Sequence, residues 1–261
     1  MSLLTVENLQ IAPFYGINKT FKTGSIAFIA GPSNSYKTLL VKVLAGIIKT
    51  EEMIRVNRTF IEKINSRQYP YKIQTIFEEE VFKTETIKEE IIFNLNRLNI
   101  SEDSITKEKR RILSLFQLTK DENKKIIELD KYTKIKLSLA CAFLYSPEVI
   151  LLDDVFKYLK VDELKFLAKI FNKYKEKIVF ICMTNNLEVP TYFSNVDLSI
   201  LDEGKIIKEG DILTVLNDDS MLNKLGFRLP FMIDLSLKLK YYNLVDKIIL
   251  NQKEMVEMLW K

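Results

Sequence analysis

The chain has 261 residues, of which 47% are hydrophobic and 28% are charged, a composition that excludes a disordered tail and a small disulfide-stapled protein. It contains no histidine, which excludes histidine acid–base catalysis and histidine-ligated metal sites. The 39 lysines and arginines against 35 acidic residues leave a net charge of +4, too small to indicate nucleic acid as a partner. Cys141 and Cys182 lack a metal-ligand or CxxC spacing, so we expect two reduced, buried thiols.

The sequence predicts neither a secretion signal nor a membrane-spanning segment. Its start, MSLLTVENLQIAP, lacks a basic region followed by an apolar one. The longest apolar run, Leu137–Tyr145, is interrupted by Ser138 and is too short to cross a bilayer. We therefore expect a protein that is soluble or bound only at a membrane surface.

The first clear pattern along the chain predicts a strand, a loop and a helix. Ser25–Ala30 is an apolar run of strand length that ends at Gly31, and Lys37–Ile47 has apolar residues at helical spacing. Two further apolar runs, Val149–Leu152 and Lys177–Met183, are typical of strands that are buried on both faces of a parallel sheet. The order of these elements predicts an α/β fold.

A charged helical pattern lies between the first strand and the later ones. It extends from Thr84 to Tyr145 and predicts helices inserted within the sheet domain, with bounds at about residues 78 and 145. Asp197–Ile207 then predicts a hairpin, and Leu213–Lys261 a small carboxy-terminal unit.

The loop after the first strand fits a phosphate-binding pattern. Residues 31–38 read GPSNSYKT, which matches G-x-x-x-x-G-K-[ST] at Gly31, Lys37 and Thr38 but has Tyr36 at the second glycine. In such a loop, backbone N–H groups and the helix dipole hold phosphate oxygens, the lysine reaches the β and γ phosphates, and the hydroxyl binds Mg²⁺. The alternative is a capped surface turn with a chance Lys-Thr pair.

Tyr36 is the main departure from this pattern. Glycine tolerates unusual torsions and leaves room for phosphate, so a tyrosine must bend the loop or turn its ring outward, which predicts weak or absent nucleotide affinity. The candidate nucleotide-binding residues are Gly31, Ser33, Asn34, Ser35, Tyr36, Lys37 and Thr38.

Two acids follow the apolar run in VILLDD. In P-loop proteins, such a strand end brings one carboxylate to Mg²⁺ and a second to the attacking water. Asp153 is therefore the candidate metal residue together with Thr38, and Asp154 the candidate base, although aspartate is one methylene shorter than glutamate. The alternative is a pair of acids that caps a helix predicted over Lys160–Phe171.

From Glu7 to Gly210, the order of landmarks resembles that of an ATP-binding cassette (ABC) protein. Gly24-Ser25 resembles the family's KG turn, SLACAFLYSPEVILLDD its SLARAL…P…LLLDE stretch, and ILDEGKIIKEG its late hairpin. The resemblance implies a P-loop NTPase core of the ABC ATPase type at residues 1–215, with an inserted helical subdomain at about residues 78–145.

The carboxy-terminal segments LNKLGFRLPFMIDLSLKLK and KEMVEMLW resemble the ends of the ATPase subunits of energy-coupling factor (ECF) vitamin importers. The resemblance implies that residues 216–261 form a small dimerisation-type extension. We expect it to pack on another subunit through an exposed apolar patch involving Phe227, Leu229, Phe231 or Trp260.

Several positions depart from the family pattern. The family's glutamine at the end of a sheet strand corresponds to Glu78, its LSGGQ signature to Leu129–Thr133 (LDKYT), and its switch histidine to Asn185. The loop after the two acids, Lys157–Lys160, lacks the usual small residues and aspartate. Glu78, Asp154 and Asn185 are therefore catalytic positions in degenerate form.

The altered signature has a direct physical consequence. Serine and glycine amides form an anion cradle at a helix N-terminus in the family, which binds the γ-phosphate on the opposite subunit. Asp130 with Lys131 and Tyr132 adds bulk and a like charge there. The stretch before Phe21 is also too short for the usual adenine-stacking loop, which leaves Phe14 or Tyr15 as stand-ins.

The pattern of loss and retention favours an impaired ATPase. Lys37, Thr38 and Asp153, which hold MgATP in the family, are retained, whereas the groups that split it are altered. The resemblance implies a subunit that binds ATP and Mg²⁺ weakly and pairs with a competent ATPase subunit, in a homodimer or heterodimer. It also implies a transmembrane coupling subunit, and hence a peripheral place on the cytoplasmic face of the cell membrane.

The acidic run Glu78–Glu80 has two interpretations. In the family, the groove beside it receives a coupling helix of the transmembrane subunit, and three acids there would hold its arginines. The alternative is a solvated helix start that the helix dipole stabilises.

Two other functions remain open. One is an active transporter ATPase in which Asp154 or a partner residue orients water and the loop accommodates Tyr36. The other is a non-catalytic scaffold or regulatory module that keeps the fold after losing nucleotide. The helical insertion and the late hairpin follow ABC order, which disfavours an unrelated P-loop kinase.

Overall fold

A computed structural model describes residues 3–250 and 252–260 of the chain. Within these ranges, no helix is both long and apolar enough to cross a bilayer. The strands are β1 (Leu3–Ile11), β2 (Phe14–Lys22), β3 (Ile26–Ala30), β4 (Ile54–Val56), β5 (Thr59–Phe60), β6 (Ile73–Ile76), β7 (Val149–Asp153), β8 (Val179–Thr184), β9 (Val196–Asp202) and β10 (Lys205–Asp211). The helices are α1 (Lys37–Leu44), α2 (Tyr69–Lys72), α3 (Ile87–Asn96), α4 (Glu102–Leu115), α5 (Lys131–Leu144), α6 (Val161–Tyr174), α7 (Ile212–Leu216), α8 (Asp219–Lys224), α9 (Phe231–Tyr241) and α10 (Gln252–Leu259).

A six-stranded sheet lies at the centre, with the strand order β10-β9-β3-β8-β7-β6. The strands from β9 to β6 run parallel, and β10 pairs antiparallel with β9 at one edge. Every residue of β3, β7 and β8 is buried, because both faces of the sheet are covered. The predicted α/β fold with a parallel sheet is confirmed.

Successive side chains of the central strands point into two separate cores. On one face, Phe28 and Phe180 pack in a core that includes residues of α5 and α6. On the other face, Ile29 and Ile181 pack with Leu40 of α1. An antiparallel sheet with the order β2-β1-β4-β5 contributes to this second core, so α1 is held between two sheets.

The helices α3, α4 and α5 are inserted between β6 and β7 and pack on one another. Their side chains Ile91, Ile112 and Ile135 join the core on one face of the central sheet. Polar residues start these helices, since the side chain of Thr86 accepts from a backbone N–H of α3 and that of Asp130 from one of α5. The predicted helical insertion is confirmed.

The predicted hairpin is formed by β9 and β10, which turn at Glu203 and Gly204 with positive φ angles of 44° and 78°. The helices α7–α10 then form the end of the chain. A small apolar cluster of Val245, Ile249 and Met255 holds α9 and α10 together.

The apolar side chains expected at the surface of this end divide into two groups. Phe231 is 70% exposed and Trp260 is 85% exposed. Phe227 is buried and Leu229 is partly buried, because both pack against the larger core. Only part of the expected patch is therefore accessible.

The carboxyl ends of the parallel strands meet at one edge of the central sheet. There β3 ends at Ala30, β8 at Thr184, β7 at Asp153 and β6 at Ile76. The N–H of Gly31 donates to the carbonyl of Thr184 at 3.1 Å, which ties the loop after β3 to the end of β8. Ligands of open α/β sheets bind in the crevice outside such strand ends.

Candidate nucleotide-binding site

The loop between β3 and α1 closes around the first side chain of the helix. Lys37 is only 5% exposed, and its Nζ donates to the carbonyl oxygens of Gly31 at 2.7 Å and Pro32 at 2.9 Å. The hydroxyl of Ser35 donates to the same Pro32 carbonyl at 2.8 Å. The loop thus holds an ammonium group at a helix N-terminus, an arrangement suited to an anion.

The loop can close at Gly31 because glycine has no side chain, which lets another side chain and another backbone segment pack directly against it. A Cβ atom at this position would be 2.2 Å from Ser35 Oγ and 2.6 Å from the carbonyl oxygen of Leu201. The glycine is therefore required by close approach. Ser33 and Asn34 are exposed at the loop tip, and Thr38 is exposed on the first turn of α1.

Tyr36 takes the backbone conformation that usually belongs to glycine. Its φ of 69° and ψ of 25° lie in the left-handed region. The side chain is 47% exposed, so of the two expected outcomes the ring turns outward and the loop stays closed. A left-handed conformation costs a residue with a Cβ atom about 1–2 kcal/mol.

Asp153 and Asp154 face this loop from the end of β7. Burial lowers the pKa of the Lys37 ammonium, whereas the carboxylates of Asp154 and Asp153 act in the opposite direction. The two acids and the lysine therefore lie close enough for the charge of each to act on the others. The acids do not cap the following helix, since α6 begins at Val161 with Lys160 at its N-cap, and that alternative is wrong.

Asp153 has the properties of a metal ligand. It is 4% exposed, and its Oδ1 is buried with no hydrogen-bond partner among the residues described. Burial raises the pKa of its carboxyl group, against a lowering contribution from a hydrogen bond to the Thr38 side chain. A carboxylate and a hydroxyl fit Mg²⁺, which takes one or two protein carboxylates and completes its shell with phosphate and water.

The described part of the chain has no group of three or more histidine, cysteine, aspartate or glutamate residues arranged to hold a metal by themselves.

Asp154 is in a left-handed conformation, with φ at 51°. Burial raises the pKa of its carboxyl group, Lys37 lowers it and Glu78 raises it. The backbone of Asn185 also lowers the pKa of Asp154, and Asn185 itself is exposed just after β8. The structure therefore brings Asp154 and Asn185 together beside the loop.

Glu78 reaches the same site from the segment that follows β6. Its Oε1 lies 3.4 Å from Lys157 Nζ, and its charge acts on both Asp153 and Asp154. Lys157 belongs to the turn after β7 and also lowers the pKa of Asp154. The ion pair between Glu78 and Lys157 had no signal in the sequence pattern, because the two residues are far apart along the chain.

Two of the three carboxylates in the acidic run Glu78–Glu80 form ion pairs with lysines of the same chain. Glu80 pairs with Lys131 at 2.8 Å and Glu78 pairs with Lys157, whereas Glu79 is exposed. The run is not a helix start, because α3 begins at Ile87 after the N-cap Thr86, so that alternative is wrong. Two of the three acids expected to bind a partner's arginines are already paired within the chain.

The two aromatic stand-ins for an adenine-stacking residue differ in accessibility. Phe14 is fully buried in the core between the sheets and cannot stack on a ligand. Tyr15, the second residue of β2, is 60% exposed. Of the two, only Tyr15 offers an aromatic face to solvent.

Comparison with known proteins agrees with this geometry. The sequence profile of the ABC transporter family matches residues 14–157, more than half of the chain. The energy-coupling factor transporter ATP-binding protein EcfA1 of Mesomycoplasma hyopneumoniae (strain J) is 26% identical over 262 residues, covering 98% of this chain and 93% of that protein.

Solved structures show the same fold. CbiO1 of Clostridium perfringens, part of the ABC transporter complex CbiONQ, superposes with a TM-score of 0.74 at 20% identity, covering 85% of this chain and 94% of that chain. The ATP-binding cassette MJ0796, in a dimeric post-hydrolysis state bound to ADP and phosphate, gives a TM-score of 0.69 at 16% identity, covering 80% and 98%. The phosphate-loop pattern lies at the carboxyl edge of the sheet and the family profile matches more than half of the chain, so the chain belongs to the ABC transporter family.

Proposed function

We propose that this chain is the ATP-binding subunit of an ECF-type importer, which binds MgATP weakly and depends on a competent ATPase subunit for turnover. The observation that carries the proposal is the convergence of Lys37, Thr38 and Asp153, with a buried carboxylate oxygen that has no other described partner. The near full-length match to a protein named as an ECF transporter ATP-binding subunit supports the transport class.

In this function, the backbone N–H groups of residues 33, 34 and 36–38 and the Lys37 ammonium hold the phosphates. Asp153 and Thr38 would hold Mg²⁺, whose charge offsets that of the phosphate oxygens. The outward ring of Tyr36 leaves the loop closed, so binding survives at a cost in backbone strain.

Three residues explain why hydrolysis is slow or absent. Asp154 is the shorter acid at the position of the base, and Asn185 has no imidazole to act on the γ-phosphate. Glu78 replaces an amide with a carboxylate, which when ionised cannot donate a hydrogen bond to water or phosphate. Its negative charge adds to those of Asp153 and Asp154 beside the phosphate site.

The proposed assembly follows the family. Residues 1–215 act as the ATP-binding domain, with a helical subdomain at about residues 78–145, and residues 216–261 pack on a second ABC ATPase subunit. A groove of about 310 Å³ beside β6, lined in part by Phe77 and Glu79, takes the coupling segment of a transmembrane subunit. The chain then lies on the cytoplasmic face of the cell membrane.

A calorimetric titration with MgATP tests this proposal. We expect saturable binding to the unaltered chain, loss of binding in Lys37→Ala and in Asp153→Asn, and no phosphate release. Lys42→Ala is the matched control, because Lys42 is exposed on the same helix and should leave binding unchanged. Circular dichroism spectra of all variants show whether each remains folded.

An active ATPase is the second candidate, favoured by the position of Asp154 beside Lys37 and the Asn185 backbone. Phosphate release by the unaltered chain that is lost in Asp154→Asn would establish an active ATPase. It would refute the proposal that the chain hydrolyses ATP slowly or not at all. No MgATP binding by the folded, unaltered chain would refute both and would support a non-catalytic module on the ABC fold.

A further inference from the structure

The signature segment, Leu129–Thr133, lies at the start of α5. In ABC proteins, residues at this position face the nucleotide of a second subunit. Here, three of its four altered residues, Asp130, Lys131 and Tyr132, each have a partner within the same chain.

Lys131 makes the contacts of greatest consequence. Its Nζ forms an ion pair with Glu80 Oε2 at 2.8 Å and donates a hydrogen bond to the backbone carbonyl oxygen of Glu78. The Glu80 side chain is only 7% exposed, so solvent weakens this pair less than it weakens a surface ion pair. One lysine thus binds both ends of Glu78–Glu80, a stretch of the connection between β6 and α3 that we call the linker.

Asp130 and Tyr132 make the remaining contacts of the signature segment. The Asp130 carboxylate accepts a hydrogen bond from the Thr133 N–H at 2.7 Å, so a donor at the start of α5 is already used. The ring of Tyr132 makes an edge contact with Phe166 of α6, and Lys136 Nζ lies 4.8 Å from the Tyr132 ring centroid. The segment is therefore anchored both to α6 and to the linker.

The linker has a second lysine contact. Lys157, in the turn after β7, lies 3.4 Å from the Glu78 carboxylate. Movement of the linker therefore moves a carboxylate that acts on Asp153 and Asp154.

We propose that the signature segment works within its own chain, where Lys131 is a positioning residue that clamps the linker Glu78–Glu80 and so fixes Glu78 at the nucleotide site. The clamp itself needs no nucleotide, and only its effect on nucleotide rests on the proposed function. In the clamp, the side chains of the signature segment make contacts within their own chain instead of with a phosphate bound by a second subunit.

Cleavage of the nucleotide-free chain by a glutamate-specific protease tests the clamp. Glu79 is exposed, so cleavage after it reports how often the linker opens, if opening and closing are fast relative to cleavage. Loss of a hydrogen-bonded ion pair predicts cleavage at Glu78–Glu80 about tenfold faster in Lys131→Met. Lys131→Arg, which keeps the charge and the donors, should restore the unaltered rate.

Lys134→Met is the matched control, because Lys134 lies one turn along α5 and makes no ion pair in the described structure. Cleavage after Glu102, at the start of α4, serves as an internal reference, which would accelerate as well if the whole helical subdomain loosened. Lys131→Gln gives the same test if Lys131→Met does not fold.

Equal cleavage of the linker in Lys131→Met and the unaltered chain would overturn the proposal. The proposal would also be overturned if cleavage were as fast in Lys131→Arg as in Lys131→Met. The lysine would then stabilise the segment through its packing in α5 and not through its charge and its hydrogen-bond donors. Because no nucleotide is present, faster linker cleavage together with a failed MgATP titration would keep the clamp and refute the proposed function.

Discussion

Tyr36 shows how a single residue departs from a motif without destroying its shape. The G-x-x-x-x-G-K-[ST] pattern predicts glycine at this position because the chain turns through a left-handed conformation there. The tyrosine adopts that same conformation and turns its ring toward solvent. Packing of the rest of the loop around Lys37 therefore outweighs the local preference of one residue.

Removal of this strain should be measurable. We expect Tyr36→Gly to raise the free energy of unfolding by about 1 kcal/mol, since glycine takes a positive φ without steric cost, although its greater freedom in the unfolded chain offsets part of the gain. Urea denaturation measures the change. Tyr36→Ala removes the ring but keeps the strain, so equal stabilisation by both variants would show that the ring, and not the backbone, is responsible.

The raised pKa of Asp153 predicts that its ionised carboxylate lowers the stability of the folded chain, although MgATP binding requires it. A raised folded-state pKa means that the folded chain holds the proton more tightly, so this contribution is fully present below about pH 4 and is lost as the pH rises through the folded pKa. Asp153→Asn is neutral throughout. We expect its stability to increase relative to that of the unaltered chain as the pH rises from about 4 through the folded-state pKa, while MgATP binding is lost.

Urea denaturation at several pH values, without Mg²⁺ or nucleotide, measures this effect. Asp162→Asn, at an exposed position in the first turn of α6, is the control that should show no such gain. A stability difference between Asp153→Asn and the unaltered chain that does not vary with pH would contradict the assignment of Asp153 as a buried, electrostatically strained carboxylate.

At the scale of elements, the sequence was most informative where local pattern and burial agree. The strands β3, β7 and β8 are uninterrupted apolar runs because both sheet faces are covered, so their type followed from the sequence. The acidic run Glu78–Glu80 was harder to interpret. Its charges suggest a helix start or a partner surface, but Lys131 and Lys157 neutralise two of them from distant parts of the chain.

At the scale of the molecule, the carboxy-terminal helices present apolar side chains to solvent. Phe231 and Trp260 are highly exposed, whereas their neighbours Val245 and Met255 form a small core. Isolated exposed apolar residues are common, but two large aromatic side chains on one small unit favour an interface with a second subunit.

The single tryptophan of the chain reports directly on this interface. Trp260 is 85% exposed, so for a homodimer we expect its emission to shift to shorter wavelength, and its quenching by iodide to fall, as the concentration of the chain is raised; for a heterodimer the same changes are expected on addition of the competent ATPase subunit. Phe231→Ser should weaken the association by about tenfold, and Ile47→Ser, at an exposed site beyond α1, should not. Unchanged emission over a concentration range in which sedimentation detects dimers would place the self-interface elsewhere.

The sequence by itself determined the α/β class, the phosphate-loop pattern, the strand that ends in two acids and the order of elements typical of the ABC family. These features depend on periodicity and on neighbours a few residues apart, which a sequence displays directly. Only the tertiary structure decided that the loop stays closed around Lys37 with the Tyr36 ring outward, that Phe14 is buried while Tyr15 is exposed, and that Lys131 contacts the linker. Those outcomes depend on contacts between residues distant along the chain, and charge or size alone does not specify which distant residue becomes the partner.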